Sequence, residues 1–372
     1  MRQDAVDMPK WHCEVAIQGR GLGAAVRSTV DIATRRKIVS DMSAERCAEL
    51  VGPLFVPGGR FDGRYDPPEL QAFEEIAPGN IWQAPIFPVR SNSARLLRVY
   101  LTQEASPSDL LQAQWSSETR ALLRLSASGH PALPRLREAA LLQETGVGYL
   151  VLDHPGSPLL SGHPCLEGFR RQRSQALVQF LRTVDAVALL HRSALLHRSI
   201  SPHTTCARGE DPNVTLDGFQ LSRFVSTWLR SAAHQPTRDG FLPKDPLSRV
   251  CLPSERLGPL FGEPTKVFES YASDVFSLGM LGIWWFVPDL TDSDAVEAFP
   301  GDGYSLPGHR AVVERWHTKL RQAGLPKPLS RLLEQASSFD RANRIPSASR
   351  LHETLQATYG AVLADLERSE ER

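Results

Sequence analysis

Apolar positions change their spacing near residue 160, and this change divides the chain into two parts. Before it, short runs rich in valine, isoleucine, leucine and phenylalanine predict strands at 86–87, 96–101, 139–143 and 149–153. One helix interrupts them at about 106–125, where Ser106 is a favourable N-cap and Pro107 suits the first turn. The first part is therefore expected to be rich in β-structure.

After residue 160 the core-facing positions recur at helical spacing, as at Leu177, Leu181, Val184, Ala188 and His191. The segment 271–286 is almost wholly apolar, which predicts a helix buried on all sides. Further helices are predicted at 309–323, 328–337 and 347–365, and the charged end at 367–372 is expected to fray. Strands followed by helices predict an α+β fold with two lobes.

Residues 1–80 have a less regular pattern. It predicts short strands at 15–17 and 29–32 and a helix at 44–51, followed by a loop rich in glycine and proline. We interpret this segment as an N-terminal extension or a small accessory domain. Its glycine-rich stretch at 19–24, with Lys37 downstream, is interpreted as an ordinary turn rather than a phosphate-binding loop.

Composition narrows the classes of function. The formal net charge is zero, which favours neither nucleic acid nor an anionic membrane as a partner. The chain has no run of about 18 apolar residues, and residues 1–10 lack the apolar core of a signal peptide. The five cysteines are scattered and form no C-x-x-C pair. These features predict a cytoplasmic protein without a metal site.

The segment L-H-R-S-I-S-P-H-T at 196–204 is similar to the catalytic loop of protein kinases, H-R-D-L-K-P-E-N. Other segments resemble kinase motifs and follow in the family's order: D-G-F-Q-L-S-R at 217–223, P-S-E at 253–255, S-D-V-F-S-L-G at 273–279 and R-I-P-S-A at 344–348. On these motifs the chain is identified as a degenerate member of the protein kinase-like superfamily, of bacterial type. The resemblance implies a kinase-like domain at 81–366, with a small β-rich N-lobe (81–153) and a large helical C-lobe (156–366).

The departures from the family fall on the positions that perform chemistry. Ser199 stands in the place of the catalytic aspartate, and a hydroxyl is a far weaker base than a carboxylate. Ser201 replaces the lysine that steadies the transferred phosphoryl group. Thr204 and Gly218 replace the asparagine and aspartate that hold magnesium, and Arg98 replaces the nucleotide-binding lysine. The stretch expected to carry the glycine-rich loop, 83–93, contains no glycine.

Other positions keep the family's residues. The resemblance implies a vestigial nucleotide site formed by Arg98, Glu118, Leu152, Asp153 and Asp217. It also implies structural roles for His197, Arg198, Glu255, Asp274 and Arg344. Asp274 is expected to bind the backbone of the catalytic loop, and Glu255 is expected to pair with Arg344. Glu118 either pairs with Arg98 or is an ordinary surface residue of its helix.

An altered chemical centre in a retained framework predicts a catalytically inactive pseudokinase. Such a protein would act as a scaffold or a regulatory module by binding another protein, and no cofactor is expected. The alternative is an atypical kinase that still binds ATP, with or without magnesium, through Arg98, Glu118 and Asp217. A further alternative assigns the function to residues 1–80 and makes the kinase-like domain a passive platform.

Overall fold

The computed structural model describes residues 44–77, 81–101, 108–142, 145–225, 245–262, 269–288, 290, 295–301 and 303–371. Several sequence-based predictions lie outside these residues. They are the strands at 15–17 and 29–32, the glycine-rich turn at 19–24 with Lys37, and the helix start at Ser106 and Pro107.

Strand pairing within the described residues is antiparallel. The strands are β1 (Tyr65–Asp66), β2 (Glu74–Ala77), β3 (Ile81–Pro88), β4 (Arg95–Leu101), β5 (Leu136–Leu142), β6 (Val147–Asp153), β7 (Ser157–Pro158), β8 (Leu195–Leu196), β9 (Thr205–Ala207), β10 (Thr215–Leu216) and β11 (Arg223–Phe224). The first six form one sheet in the order β1-β3-β4-β6-β5, with β2 paired to β3. The sequence-based boundary near residue 81 falls inside this sheet, because Glu75 of β2 lies opposite Trp82 of β3.

Helices dominate the chain after residue 160. The described α-helices are α1 (Ala44–Val51), α2 (Ser108–Ser126), α3 (Pro164–Arg171), α4 (Arg173–Arg192), α5 (Pro246–Val250), α6 (Ser254–Leu260), α7 (Tyr271–Phe286), α8 (Leu306–Gln322), α9 (Lys327–Ala336) and α10 (Ala348–Glu370). The α+β class predicted from the sequence is confirmed, with an antiparallel sheet in the N-terminal region and a helical C-terminal part. None of the described helices combines the length and apolar character that a membrane crossing requires.

The two faces of the sheet have different covers, and the alternation of side chains along β4 shows both. Leu97 and Val99 point to a core that includes Val51, Leu54 and Phe61 from the segment before the sheet. The intervening positions of β4 face the other way, where Leu96 and Tyr100 pack with Ala121, Leu122 and Leu125 of α2. Arg98 lies between Leu96 and Tyr100 on this second face, and its position there determines what it contacts.

The helix α7 is the centre of the helical part. Every residue from Ala272 to Phe286 is buried, as the apolar run predicted. Ser270 caps its first turn by accepting a hydrogen bond from the Ala272 N–H. Burial on all sides fixes Asp274, a charged residue in the first turn of α7, inside the protein.

The prediction of a frayed C-terminal end is wrong for the described residues. Helix α10 continues to Glu370, five residues beyond the predicted end at 365. The Glu370 carboxylate accepts hydrogen bonds of 2.8 Å from both the backbone N–H and the hydroxyl of Ser174, in the first turn of α4. A carboxylate at a helix N-terminus is stabilised by the unpaired N–H groups there, and this contact gives the end of α10 a partner.

Candidate functional site

Three elements bring the charged residues of the candidate site together. Arg98 comes from the middle of β4, and Glu118 comes from the face of α2 that also carries Trp115 and Leu122. Asp217 directly follows β10. All three side chains are buried, with residue exposures of 1% for Arg98, 0% for Glu118 and 8% for Asp217. The structure thus joins three of the five residues predicted to form a vestigial nucleotide site.

The Arg98 guanidinium lies between the two carboxylates. Its Nη1 donates to Glu118 Oε1, and its Nη2 donates to Asp217 Oδ2 at 2.5 Å. The same Nη2 lies 3.4 Å from Gln83 Oε1 on the neighbouring strand β3. The expected Arg98–Glu118 ion pair is therefore present, and Asp217 is a second acidic partner of the same cation. We call Arg98, Glu118, Asp217 and Tyr100 the Arg98 cluster.

Tyr100 is the member of this cluster that sequence reasoning missed. Its hydroxyl donates to Glu118 Oε2, so both oxygens of that carboxylate have a partner. Burial and the nearby Glu118 carboxylate raise the pKa of Tyr100 well above its ordinary value, which keeps the hydroxyl protonated. The signal was available, because residues two apart on a strand share a face.

The two carboxylates of the cluster differ in their proton affinity. Burial raises the pKa of Glu118, and the opposing effect of Arg98 only partly offsets it. Burial acts in the same direction on Asp217, but Arg98 and the Gly218 N–H outweigh it and hold the pKa of Asp217 below its ordinary value. Burial would lower the pKa of Arg98, but Asp217 and then Glu118 raise it well above its ordinary value. Arg98 thus contacts both carboxylates, and Asp217 is the more acidic of the two.

The altered positions of the loop after β8 have local structural partners. The Ser199 hydroxyl donates to the Gly218 carbonyl at 2.8 Å. The Thr204 hydroxyl donates to the Ser199 carbonyl at 2.6 Å and accepts from the Ser201 N–H at 3.0 Å. These hydroxyls close the loop on itself and tie it to the segment that holds Asp217. None of them is a base that could take a proton from a substrate alcohol.

The Asp274 carboxylate binds the backbone of this loop. It accepts hydrogen bonds from the N–H groups of His197 at 2.8 Å and Arg198 at 2.9 Å. His191 Nε2 lies 3.2 Å from the same carboxylate. Burial alone would raise the pKa of Asp274, but these hydrogen bonds and the nearby histidines hold it below its ordinary value. The structural roles expected of His197, Arg198 and Asp274 are consistent with this geometry.

Arg198 has a partner that no sequence signal indicated. Its Nε donates to Glu269 Oε2 at 2.6 Å, and Arg256 Nη1 donates to Glu269 Oε1 at 3.0 Å. Glu269 therefore bridges two arginines inside the protein, immediately before the cap of α7. Its position 71 residues after Arg198 gives it no local pattern from which the contact could be inferred.

The predicted pair of Glu255 and Arg344 is a two-point contact. Arg344 Nη1 and Nη2 donate to Glu255 Oε1 and Oε2 at 2.6 and 3.3 Å. The Ser273 hydroxyl adds a bond of 2.8 Å to Glu255 Oε1. Both charged side chains are almost completely buried, so this contact joins α6, α7 and the segment before α10 in the interior.

Leu152 and Asp153 do not join the Arg98 cluster. Leu152 is buried in the core beneath α2. The Asp153 carboxylate is bound by Arg95 at 2.5 Å and by two nitrogens of Arg137 at 2.7 and 2.8 Å. The Asp153 side chain is therefore bound by ion pairs within the sheet, separate from the Arg98 cluster.

Ligands for a metal ion are sparse in the part of the chain that the structure describes. That part holds no group of three or more histidine, cysteine, aspartate or glutamate side chains placed to share a cation. Within the candidate site, Asp217 Oδ1 is a single carboxylate oxygen that is buried and has no hydrogen-bond partner among the described residues. One free carboxylate oxygen beside a guanidinium is a weak cation ligand, because the guanidinium already supplies the positive charge.

Comparisons with known proteins assign the chain to no family. No protein-family model matches it, and no curated protein sequence matches it either. The resemblance to protein kinases therefore depends on the motifs quoted above. Its consequences for function are proposals.

Proposed function

We propose that this chain is a catalytically inactive, protein kinase-like protein that acts by binding another protein. The observation that carries the proposal is the Arg98 cluster. If Arg98 stands where a kinase has its nucleotide lysine, the cation that would meet phosphate is already bound by Asp217 and Glu118 in the interior. A nucleotide phosphate would have to compete with these two carboxylates for the guanidinium.

The chemical requirements of phosphoryl transfer support the same proposal. The reaction needs a residue that accepts the proton of the acceptor alcohol and ligands that hold magnesium at the phosphates. The hydroxyls of Ser199 and Thr204 donate to backbone carbonyls instead. Position 218 has no side chain to bind an ion. Loss of a general base alone lowers a rate by about 10² to 10⁴, and here the base and the metal ligands are altered together.

A two-lobed kinase-like architecture is part of the proposal. It is supported by an antiparallel sheet with one packed helix, α2, and by a buried glutamate on that helix that pairs with a basic residue of β4. It is also supported by the contacts of Asp274 with the loop backbone and by the Glu255–Arg344 pair. The contacts that maintain shape are retained while the groups that would react are not, which favours a binding role.

Nucleotide binding and phosphate transfer test the proposal directly. The full chain would be heated with ATP, with ATP and Mg²⁺, and with neither, and its melting temperature recorded. It would also be incubated with radiolabelled ATP, Mg²⁺ or Mn²⁺ and a general protein substrate. We expect no shift in melting temperature and no transferred label. Label transfer that is lost in Asp217→Asn would overturn the proposal.

One observation favours the atypical kinase as a second candidate. Asp217 has a depressed pKa, so it is ionised at neutral pH, and its Oδ1 has no partner among the described residues. If the carboxylate exchanged Arg98 for magnesium, Arg98 could reach a phosphate. This candidate predicts that ATP and Mg²⁺ together raise the melting temperature and that Arg98→Ala abolishes the rise. A rise with ATP alone that survives Arg98→Ala would count against it.

A further inference from the structure

A cavity of about 350 Å³ lies away from the Arg98 cluster. It is formed where the end of α2, the segment after β6 and the hairpin of β9 and β10 meet. The lining residues that matter here are Leu125, Leu133, Arg135, His154, Pro155 and Arg208. We call it the hairpin cavity. Neither Arg98, Ser199 nor Asp217 lines it, so its role is separate from the altered chemical centre.

Two arginines at this cavity have N–H groups that no described residue accepts. Among the described residues, the exposed Arg135 guanidinium has no hydrogen-bond or ion-pair partner. Arg208 donates through Nε and Nη2 to the His154 carbonyl, which fixes its guanidinium over the segment after β6. Within the same residues its Nη1 has no acceptor. The two side chains therefore offer donors that match a carboxylate in charge and geometry.

His154 adds a neutral donor. Its Nδ1 accepts a hydrogen bond from the Gly156 N–H at 3.0 Å, which leaves the ring proton on Nε2. Burial, assisted by the charge of Arg208, lowers the pKa of His154, so the ring is neutral at pH 7. The polar groups of the cavity that remain unpaired are thus mainly donors.

The acidic residues at the cavity do not cancel this positive charge. Asp153 is bound by both Arg95 and Arg137. Asp211 accepts two hydrogen bonds from Asn213 through one of its oxygens. The lining holds two arginines and two aspartates, but the charge of Asp153 is already balanced by Arg95 and Arg137 outside the lining, so Arg135 and Arg208 outnumber the one remaining aspartate. The cavity therefore favours an anionic ligand.

The lining also includes apolar residues, among them Leu125, Leu133 and Pro155, beside polar ones such as Ser126, Asn213 and Thr215. Leu133 and Pro155 are buried, while Arg135 and Arg208 are exposed. A ligand would thus contact an apolar floor and carry its negative charge near water. A peptide that crosses the surface suits this arrangement, because a small-molecule site usually buries most of its ligand.

From this charge complementarity we propose that the hairpin cavity binds an acidic segment of a protein partner, with a carboxylate on Arg135 and Arg208 and an apolar side chain on the floor. The proposal depends on the proposed function, which makes another protein the ligand of this chain. It adds the site and the chemistry of the partner. Peptide binding is measured without nucleotide, so the two proposals are tested separately. The chain could bind no acidic peptide and still be an inactive kinase-like protein, or it could bind such a peptide and still transfer phosphate.

The test uses the full chain and fluorescently labelled libraries of short peptides. One library has glutamate at fixed positions among leucine, isoleucine, phenylalanine, proline and serine, and a matched library has glutamine in place of glutamate. Fluorescence polarisation should show saturable binding of the glutamate library. Binding should be about tenfold weaker or more in Arg135→Glu/Arg208→Glu. The control Arg331→Glu changes an exposed arginine of α9 outside the cavity and should leave binding unchanged.

Four outcomes would overturn the proposal. They are no binding of the glutamate library, equal binding of the glutamine library, an equal loss in Arg331→Glu, and displacement of the peptide by succinate at concentrations comparable with the peptide's own affinity. The last would indicate a small-carboxylate site. Because Arg208 also bonds the backbone, Arg135→Glu alone serves as a second variant with an unchanged melting temperature and a smaller but measurable loss of binding.

Discussion

A Cβ atom on Gly218 would lie 2.5 Å from the Cγ2 methyl of Thr204. Gly218 also has a φ of +88°, a backbone conformation that residues with side chains rarely adopt. Gly218 and Thr204 therefore fit one another. A side chain at position 218 would require Thr204 to move.

Gly218→Ala should lower the free energy of unfolding by roughly 2–4 kcal/mol, because the strained φ and the clash with Thr204 act together. Thr204→Ser removes the methyl group and keeps the hydroxyl, so Gly218→Ala should cost less in that background. Urea unfolding of the unchanged protein, the two single variants and the double variant gives the coupling free energy between positions 204 and 218. Gly324→Ala is the control, since its φ is +68° but nothing lies within 4 Å of its Cβ position. Equal costs at 218 and 324 would refute the clash.

The Arg98 cluster predicts different effects for its two carboxylates. Asp217→Asn removes the more acidic partner of Arg98 and should cost about 2 kcal/mol more at pH 7 than Glu118→Gln. The pKa of Asp217 is depressed, so its contribution is present above the ordinary aspartate pKa and is lost as the pH falls toward the folded value. The pKa of Glu118 is raised, so its contribution is present at low pH and is lost as the pH rises through the folded value.

Thermal unfolding of both variants and the unchanged protein across about pH 2 to pH 8 checks these signs. The loss of stability caused by Asp217→Asn should become smaller as the pH falls. The loss of stability caused by Glu118→Gln should be smallest at neutral pH. If Glu118→Gln were the more damaging variant at pH 7, Glu118 would be the principal partner of Arg98.

The Glu255–Arg344 pair should behave as a buried ion pair. Arg344→Met leaves a buried carboxylate without its cation and should cost about 3–5 kcal/mol. Arg344→Met/Glu255→Gln should cost less than the sum of the single changes, because neither side then leaves a lone charge. Arg350→Met breaks the exposed pair with Glu353 and should change the unfolding free energy by less than about 1 kcal/mol. If the losses of unfolding free energy in the two single variants added up to the loss in the double variant, Glu255 and Arg344 would not act as a buried ion pair.

Local patterns predicted much of the fold. The continuous apolar run gives α7 with its observed bounds, and the segment 44–51 matches α1. The start of β3 was predicted five residues late, at 86 rather than Ile81. Pro85 obscures the alternation there, although Trp82, Ala84 and Ile86 all point to the core. Periodicity reports which face of a segment is buried, and it reports this poorly when a strand contains proline.

The candidate site was predictable only where a residue belongs to a known motif. The Glu255–Arg344 contact joins residues 89 apart, and the motif resemblance alone suggested it. Asp153 was predicted to belong to the nucleotide site, and no motif indicated that Arg95 and Arg137 bind its side chain. Glu269 was missed, since a single acidic residue before a helix cap does not reveal a partner in a distant loop. Long-range electrostatic pairing depends on the assembled fold, which short segments do not encode separately.

Glu269 gives the last prediction. Its carboxylate binds the guanidinium groups of both Arg198 and Arg256. Burial is the main cause, and the charge of Arg198 the second, of a pKa of Arg256 lowered to about 10. Glu269→Gln would leave the buried Arg256 and the partly buried Arg198 near one another without their shared carboxylate, and it should cost about 3–5 kcal/mol in unfolding free energy. Adding Arg256→Met removes one of these cations, so Arg256→Met/Glu269→Gln should recover much of the loss. Arg198 would then keep its bond to the Leu221 carbonyl and the amide of residue 269 as acceptors. Urea unfolding of the two single variants and the double variant measures the recovery. A double variant that is less stable than Glu269→Gln would show that Arg256 stabilises the region by packing rather than by its charge.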